Sequence, residues 1–542
     1  MKTSFKRIVR TAASVATALL FGACSGAFAQ DCSNIKTDNG LVSGKLDSGV
    51  CSFKGIPYAA PPVGDLRFAL PVKAEPWEET LEAFNYGNDC VQHPLSLFPS
   101  DKISGSEDCL YLNVWSQAKA SDSKLKPVMF FIHGGGFLNG SGAWPIYDGT
   151  TLSSRGDVVV VTINYRLGNF GFFAHPSLRR DDGGVGNYGL YDMVAALEWT
   201  RDNIKAFGGD PDNITIFGES AGGISVGLIM ISPKAQGLFQ KAIIESGPVH
   251  YFSSPAKKME ETGLEAAAKL GCPDAAAAPQ CLRSISAEAL MLGAPGTLSL
   301  LSSYETSGKY VYAPVIDGVF IPDTPAEMFK RGDFASNIPV IIGSNTDEGS
   351  FFTASKKLDT VEQYNETVVS DSKALADIFD IKVDFDGILN IFPASEYPTP
   401  KLAYSGMLRD VAFTCPARAL SKQMIKKQPK VYLYLFGKAP DEVGPLKDWG
   451  AFHGSELAFV FHNFEFMGIK FKSKDNTATS KRILAYWSRF AHTGDPNLQG
   501  LPQWELFDPA KLNYMYLDVE SEMRSGYRKP VCDYLDQVLF EK

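Results

Sequence analysis

Ile214-Thr215-Ile216-Phe217-Gly218-Glu219-Ser220-Ala221-Gly222-Gly223 is the stretch on which the reading of this chain turns. Three apolar residues and a threonine, all strand-prone, run into Gly-x-Ser-x-Gly and then into a small-residue helical run, so Ser220 falls on a strand-to-helix turn that can hold a nucleophile. Only residues without bulk fit on the flanks of so sharp a bend. Gly218 and Gly222 are those flanks, and they lift the serine hydroxyl clear of the sheet. Composition alone produces the pentapeptide roughly once in every few chains of this length, so its surroundings have to decide.

Upstream lies Phe131-Ile132-His133-Gly134-Gly135-Gly136-Phe137, at the end of the apolar run 128–132. Three glycines leave backbone N–H groups unobstructed, able to stabilise negative charge growing on a carbonyl oxygen during acyl transfer. Gly135, Gly136 and Ala221 are the expected donors of this oxyanion hole. Losing one such donor typically costs ~10²–10³ in rate.

A serine hydroxyl needs a histidine to take its proton and a carboxylate to fix the imidazole tautomer. With the nucleophile on a strand-to-helix elbow, the chain order is nucleophile, acid, histidine. Three of the seven histidines lie in the last third of the chain: His453, His462 and His492. His453 sits in the glycine-flanked loop Trp449-Gly450-Ala451-Phe452-His453-Gly454, after the strand-like run 431–436, where a loop-borne base belongs. His462 falls in an aromatic run that reads as packing, and His492 at a helix end. For the acid, the run 338–342 reads as a buried strand opening into Gly343-Ser344-Asn345-Thr346-Asp347-Glu348-Gly349. Periodicity does not separate Asp347 from Glu348, and an acidic turn by itself is more often merely solvated.

The decapeptide Gly-Ser-Asn-Thr-Asp-Glu-Gly-Ser-Phe-Phe at 343 to 352 resembles the acid-bearing loop of type-B carboxylesterases and cholinesterases. Further matches are Gly55-Ile56-Pro57-Tyr58-Ala59, Pro61-Pro62-Val63-Gly64, Glu107-Asp108-Cys109-Leu110-Tyr111-Leu112-Asn113-Val114 and the stretch 186 to 211, so the likeness spans nearly the whole mature chain. It implies an α/β-hydrolase fold: a large, mostly parallel central sheet flanked by helices, with long insertions forming an active-site gorge. It also implies a Ser220, Glu348, His453 triad, with Glu219, Ser246 and Glu456 as a polar network behind it. Phe351 and Phe352 match gorge-lining aromatics, which favours hydrophobic acyl or aryl groups, although core packing asks for the same residues.

The expected activity is hydrolysis of carboxylic esters through an acyl-enzyme, without cofactor or metal. Cholinesterases carry a tryptophan for the quaternary ammonium in the first disulfide loop. Cys90 to Cys109 contains none, only His93, Phe98 and aliphatic or polar residues, so a general carboxylesterase for small hydrophobic or aryl esters is favoured. Feruloyl esters, synthetic aryl esters, short glycerides and ester-bearing toxins all stay open. The alternatives are a lipase-type member, for which the polar Cys90–Cys109 loop makes a poor lid, and a non-catalytic adhesion homologue, disfavoured by the intact triad positions.

Lys2, Lys6, Arg7 and Arg10 precede a short apolar run, and Ala27-Phe28-Ala29 fits a signal-peptidase site, so residues 1–29 read as a cleaved signal peptide and the protein as secreted or periplasmic. Lipidation of Cys24 is disfavoured by Phe21 and Gly22. Losing residues 1–29 removes four positive charges and no acid, taking the formal charge from −9 to −13, which disfavours nucleic acid and anionic membranes. No later stretch is apolar enough to span a bilayer. Eight further cysteines in an exported chain point to disulfides. The resemblance implies Cys90–Cys109, Cys272–Cys281 and Cys415–Cys532, leaving Cys32 with Cys51 across a hairpin-like segment. No linker or repeat interrupts the remainder, so 30–542 reads as a single domain, including a helix from near Tyr191. Gly184-Val185-Gly186-Asn187-Tyr188-Gly189 matches a dinucleotide fingerprint but lies too far beyond strand 158–164 to serve as one.

Overall fold

The runs that end at the glycine loop, the serine elbow and the acid loop are apolar except for the buried Thr215, as suits strands covered on both faces. The structure, a computed structural model, describes residues 32–93, 102–117, 124–250, 252–297, 310–379, 383–440, 444–466 and 468–540. The signal segment, Cys24 and Phe98 lie outside the described residues.

Among the described residues, eleven strands form the main sheet: β1 (Lys45–Asp47), β2 (Val50–Pro57), β3 (Tyr111–Gln117), β4 (Lys126–Ile132), β5 (Val159–Ile163), β6 (Gly209–Glu219), β7 (Lys241–Glu245), β8 (Val340–Asn345), β9 (Val431–Phe436), β10 (Asn513–Leu517) and β11 (Glu522–Ser525). Their spatial order is β11-β10-β9-β8-β7-β6-β4-β5-β3-β2-β1. The segment from β10 to β5 is parallel. Antiparallel pairs close both ends.

The helices that matter for the site are α1 (Tyr188–Asn203), α2 (Ala221–Ile231), α3 (Glu348–Thr353), α4 (Pro400–Leu408), α5 (Cys415–Met424) and α6 (Lys474–Thr493). Successive strand residues serve opposite cores. Phe130, Ile132 and Ile216 pack with Leu190, Met193 and Leu197 of α1 and Ile224 and Leu228 of α2. Met129, Phe131 and Phe217 pack on the other face with Ile483, Leu484, Trp487 and Phe490 of α6. Each such side chain contributes about 1.5–3 kcal/mol by leaving water, and burial on both faces holds β4, β6, β7 and β8 in a rigid row. This is the expected α/β-hydrolase architecture.

Helix α1 starts at Tyr188, three residues before the expected point, because Asn187 caps it in the left-handed region at φ 60. The Asn187 amide accepts from Val315 N–H and donates to its carbonyl. That pins the glycine-rich segment 184–187 as a structural loop leading into α1, with Tyr188 and Gly189 already in the helix. Disulfides join Cys32–Cys51, Cys90–Cys109, Cys272–Cys281 and Cys415–Cys532. The first encloses an antiparallel hairpin, Ile35–Thr37 with Gly40–Ser43.

Candidate active site

Strand β6 ends at Glu219 and α2 begins at Ala221, leaving Ser220 as the single residue that turns the chain. Its backbone stands at φ 57, ψ −122, a conformation costing a non-glycine residue about 1–3 kcal/mol and held only by its surroundings. The glycines explain how. A Cβ on Gly222 would come within 2.0 Å of the Ile132 carbonyl, and one on Gly218 within 2.6 Å of Gly222 itself. Ser220 N–H donates to the Glu245 carbonyl at 2.9 Å, tying the elbow to β7.

The glycine loop leaves β4 beside this turn. Gly135 and Gly136 both have positive φ, 104 and 61. A Cβ on Gly134 would lie 3.0 Å from the Ser220 Cβ, so the loop backbone packs directly against the serine. Ala221 opens α2, and its N–H belongs to the first turn of donors that a helix leaves without an internal partner.

The acid loop separates the two adjacent carboxylates. Asp347 is exposed and its Oδ2 accepts from Ala451 N–H at 3.0 Å, bracing the histidine loop from outside. Glu348 is fully buried. Its Oε1 accepts from Ser246 Oγ at 2.5 Å and from Asn345 N–H at 2.8 Å, and its Oε2 lies 2.5 Å from His453 Nδ1. A carboxylate oxygen only accepts, so Nδ1 carries the imidazole proton and Nε2 presents a lone pair. His453 Nε2 lies 3.1 Å from Glu219 Oε1, and neither atom is in hydrogen-bond geometry with any partner, Ser220 Oγ included. The structure thus bonds Glu348 to His453 but does not join His453 to the Ser220 hydroxyl.

Other histidines go elsewhere: His462 Nδ1 meets Ser480 Oγ at 2.7 Å and His492 Nε2 meets the Gly156 carbonyl at 3.0 Å. His133, stacked on Tyr165 at 4.4 Å, is held by burial down at about 4 and stays neutral.

Behind the site, Glu219, Glu245, Glu348 and Glu456 are all buried. Burial, reinforced by the negative charge of Glu348 and Glu245, pushes the Glu219 carboxyl well above the usual carboxylate range. Burial and then Glu219, Glu348 and Glu245 do the same to Glu456, whose Oε2 accepts from the Asn345 amide. Glu245, raised by burial to about 8, accepts from the Trp487 indole N–H at 2.8 Å. Phe352 packs on the His453 ring at 4.8 Å, whereas Phe351 is half-buried, 6.4 Å from it, edge-on to Trp449 and Phe466.

Sequence reasoning missed Asn345, Glu245, Trp487 and Phe413, whose ring lies 4.7 Å from His453. Asn345 stood inside the acid loop, but nothing local marked it. The other three come from distant elements without a motif.

Among the described residues no group of His, Cys, Asp or Glu is arranged to hold a metal ion, and no helix is long and apolar enough to cross a membrane. The site sets a strained serine beside a glycine-rich backbone loop, with a histidine bonded through Nδ1 to a buried carboxylate close by, an arrangement suited to acyl transfer.

Comparison with known proteins agrees with that chemistry. The model of the carboxylesterase family matches residues 31–535. The chain is 37% identical over 500 residues to para-nitrobenzyl esterase of Bacillus subtilis (strain 168), covering 90% of this chain and 95% of that one. It is 33% identical over 514 residues to fumonisin B1 esterase of Sphingopyxis macrogoltabida, covering 92% and 90%. A solved PNB esterase structure superposes with a TM-score of 0.76 at 34% identity, over 92% of this chain and 98% of its own. The chain belongs to the carboxylesterase family and is a carboxylic ester hydrolase.

Proposed function

We propose that Ser220, His453 and Glu348 carry out ester hydrolysis as a two-step acyl transfer. The imidazole pivots on its Glu348 bond until Nε2 leaves Glu219 and reaches Ser220 Oγ. His453 takes the serine proton, the hydroxyl oxygen attacks the ester carbonyl, and the N–H groups of Gly135, Gly136 and Ala221 hold the oxyanion. Imidazolium then protonates the departing alcohol, leaving the acyl group on Ser220, and water activated by the same ring releases the acid. Glu348 holds the tautomer and stabilises imidazolium, and Ser246 fixes Glu348. Glu219 and Glu456 form the polar backing. What supports this reading is the 2.5 Å Glu348–His453 bond, made across 105 residues of sequence beside the strained Ser220 turn.

The substrates proposed are small hydrophobic or aryl esters, read from Phe351 and Phe352 and in keeping with the para-nitrobenzyl esterase likeness. We further propose that residues 1–29 are a signal peptide, that 30–542 act as one domain, and that the enzyme works outside the cytoplasm, which its four disulfides support. The test is kcat/KM for p-nitrophenyl esters of graded acyl length, with Ser220→Ala as control and emulsified triglyceride added. Short-chain preference in solution, lost in the variant, is the expected result. Long-chain preference with a jump at the emulsion surface assigns a lipase, and turnover by Ser220→Ala removes Ser220 as nucleophile.

A further inference from the structure

Helices α4 and α5 are joined without a break through a π-helical turn, Arg409–Thr414. Such a turn carries one more residue than the α-helix around it and is frequently found at functional sites. Here it aims a buried ring, Phe413, at His453 with centroids 4.7 Å apart and planes inclined by 43°. Phe352 of α3 approaches the imidazole at 4.8 Å and 48°, and the two phenyl rings are parallel within 5° at 5.8 Å. The imidazole is seated in the notch between two parallel rings.

The turn that presents Phe413 is anchored on both sides. Asp410, fully buried, accepts from Arg409 Nε at 2.7 Å and Nη2 at 2.9 Å and from Arg528 Nε at 2.6 Å. Beyond Phe413, the hydroxyls of Thr414 and Ser344 meet at 3.1 Å, and Cys415 is bridged to Cys532. Phe413 therefore has little freedom to withdraw. A continuous α-helix through the same residues would turn everything beyond the extra residue by about 100°, so the ring and these anchors could not all keep their directions.

We propose that Phe413 is a positioning residue for the hydrolytic reaction, its ring and that of Phe352 setting the arc through which His453 swings while Nδ1 stays on Glu348. This rests on the reading of His453 as general base. Glu348 fixes one corner of the imidazole, and a ring held at one corner still pivots. Nε2 has two calls on it, Glu219 Oε1 at 3.1 Å and the Ser220 hydroxyl during turnover. The two parallel rings limit how far the imidazole can turn in the notch between them. Because Phe413 packs against the base, its loss falls on proton transfer more than on substrate binding.

The test is Phe413→Leu and Phe413→Tyr in the full mature protein. Leucine keeps an apolar side chain without the ring, and we expect kcat to fall about tenfold or more with KM within about twofold of wild type. Tyrosine keeps the ring and restores most of the loss. In the proton NMR spectrum, the downfield His453 Nδ1 proton, assigned by its disappearance in His453→Asn, should broaden by exchange with water in Phe413→Leu while the melting temperature changes little. A Phe413→Leu enzyme with wild-type kcat and a sharp Nδ1 proton overturns the proposal. So does a fall that is equal in the leucine and tyrosine variants. Should either variant fail to fold, Asp410→Asn loosens the turn without altering the ring; it is expected to lower kcat with little change in KM, and unchanged kcat counts against the proposal. If His453→Asn itself keeps its activity, the general-base reading fails; if it is inactive while Phe413→Leu is unaffected, only the positioning role does.

Discussion

Replacing Glu348 by glutamine removes one charge from a fully buried group and changes almost no volume. The wild-type carboxylate has two jobs on two oxygens: Oε1 accepts from Ser246 and Asn345, and Oε2 accepts from His453 Nδ1. Glutamine has only one accepting oxygen. Turned toward Ser246 and Asn345, it keeps the loop intact but faces Nδ1 with an NH₂ group, which drives the imidazole proton to Nε2 and removes the base. An amide replacing the triad acid costs about 10⁴ in kcat, equivalent to about 5.5 kcal/mol of transition-state stabilisation. The neighbouring Asp347→Asn is the internal control. Its side chain is exposed and its contact with Ala451 N–H needs only an oxygen, which asparagine retains, so kcat should stay within about threefold of wild type. The assay is steady-state hydrolysis of p-nitrophenyl butyrate by both variants, with far-UV circular dichroism to verify folding. Equal losses in the two variants, or a larger loss for Asp347→Asn, would refute the assignment of the acid.

Three other outcomes follow from the same geometry. Gly222→Ala places a methyl 2.0 Å from the Ile132 carbonyl and should destabilise the protein by about 3 kcal/mol and impair turnover; a variant with wild-type melting and activity shows that the elbow is looser than described. On chain-entropy grounds the disulfides should differ: removing Cys415–Cys532, spanning 117 residues, costs about 5 kcal/mol, and removing Cys272–Cys281, spanning 9, about half that, so paired Cys→Ala variants should rank in that order in urea unfolding. Glu245 gives a pH signature. Burial raises its folded-state value to about 8 against about 4.3 in an unfolded chain, so the native state holds a proton that unfolding releases. Its contribution is fully present below about pH 4, declines as pH rises, and is gone above about 8. Glu245→Gln, which still accepts from Trp487, cannot titrate; its melting temperature relative to wild type should climb between pH 5 and 8, and parallel curves contradict a buried protonated carboxyl.

The parts of this enzyme that were legible in its sequence are those whose physics is local. A sharp turn excludes side chains at its flanks, so Gly218 and Gly222 mark the serine elbow, and the glycine run after β4 marks the loop beside it. Apolar runs such as 338–342 marked single strands, while the mostly parallel sheet that joins them was implied only by the family resemblance. Local rules stopped at the acid loop: Asp347 and Glu348 are adjacent, and only the start of α3 at Glu348 turns one inward and leaves the other in solvent. Helix α1 was placed three residues late because Tyr188 and Gly189 give no helical signal, while the left-handed cap at Asn187 that starts it is held by Val315, 128 residues away. Phe413 and Glu245 were invisible for the same reason. A π-turn has no sequence mark, and a glutamate closing an apolar strand looks solvated until Trp487, 242 residues on, is seen to cover it.

The central claim, that Ser220 carries the acyl group, is tested most directly by trapping. The enzyme is incubated with a p-nitrophenyl alkylphosphonate, and the product is analysed by intact mass and peptide mapping. The account predicts one adduct per chain, on the peptide containing Gly218-Glu219-Ser220-Ala221-Gly222, formed as activity is lost and absent from Ser220→Ala. An adduct on another residue, or inactivation of the Ser220→Ala protein at the wild-type rate, would contradict it.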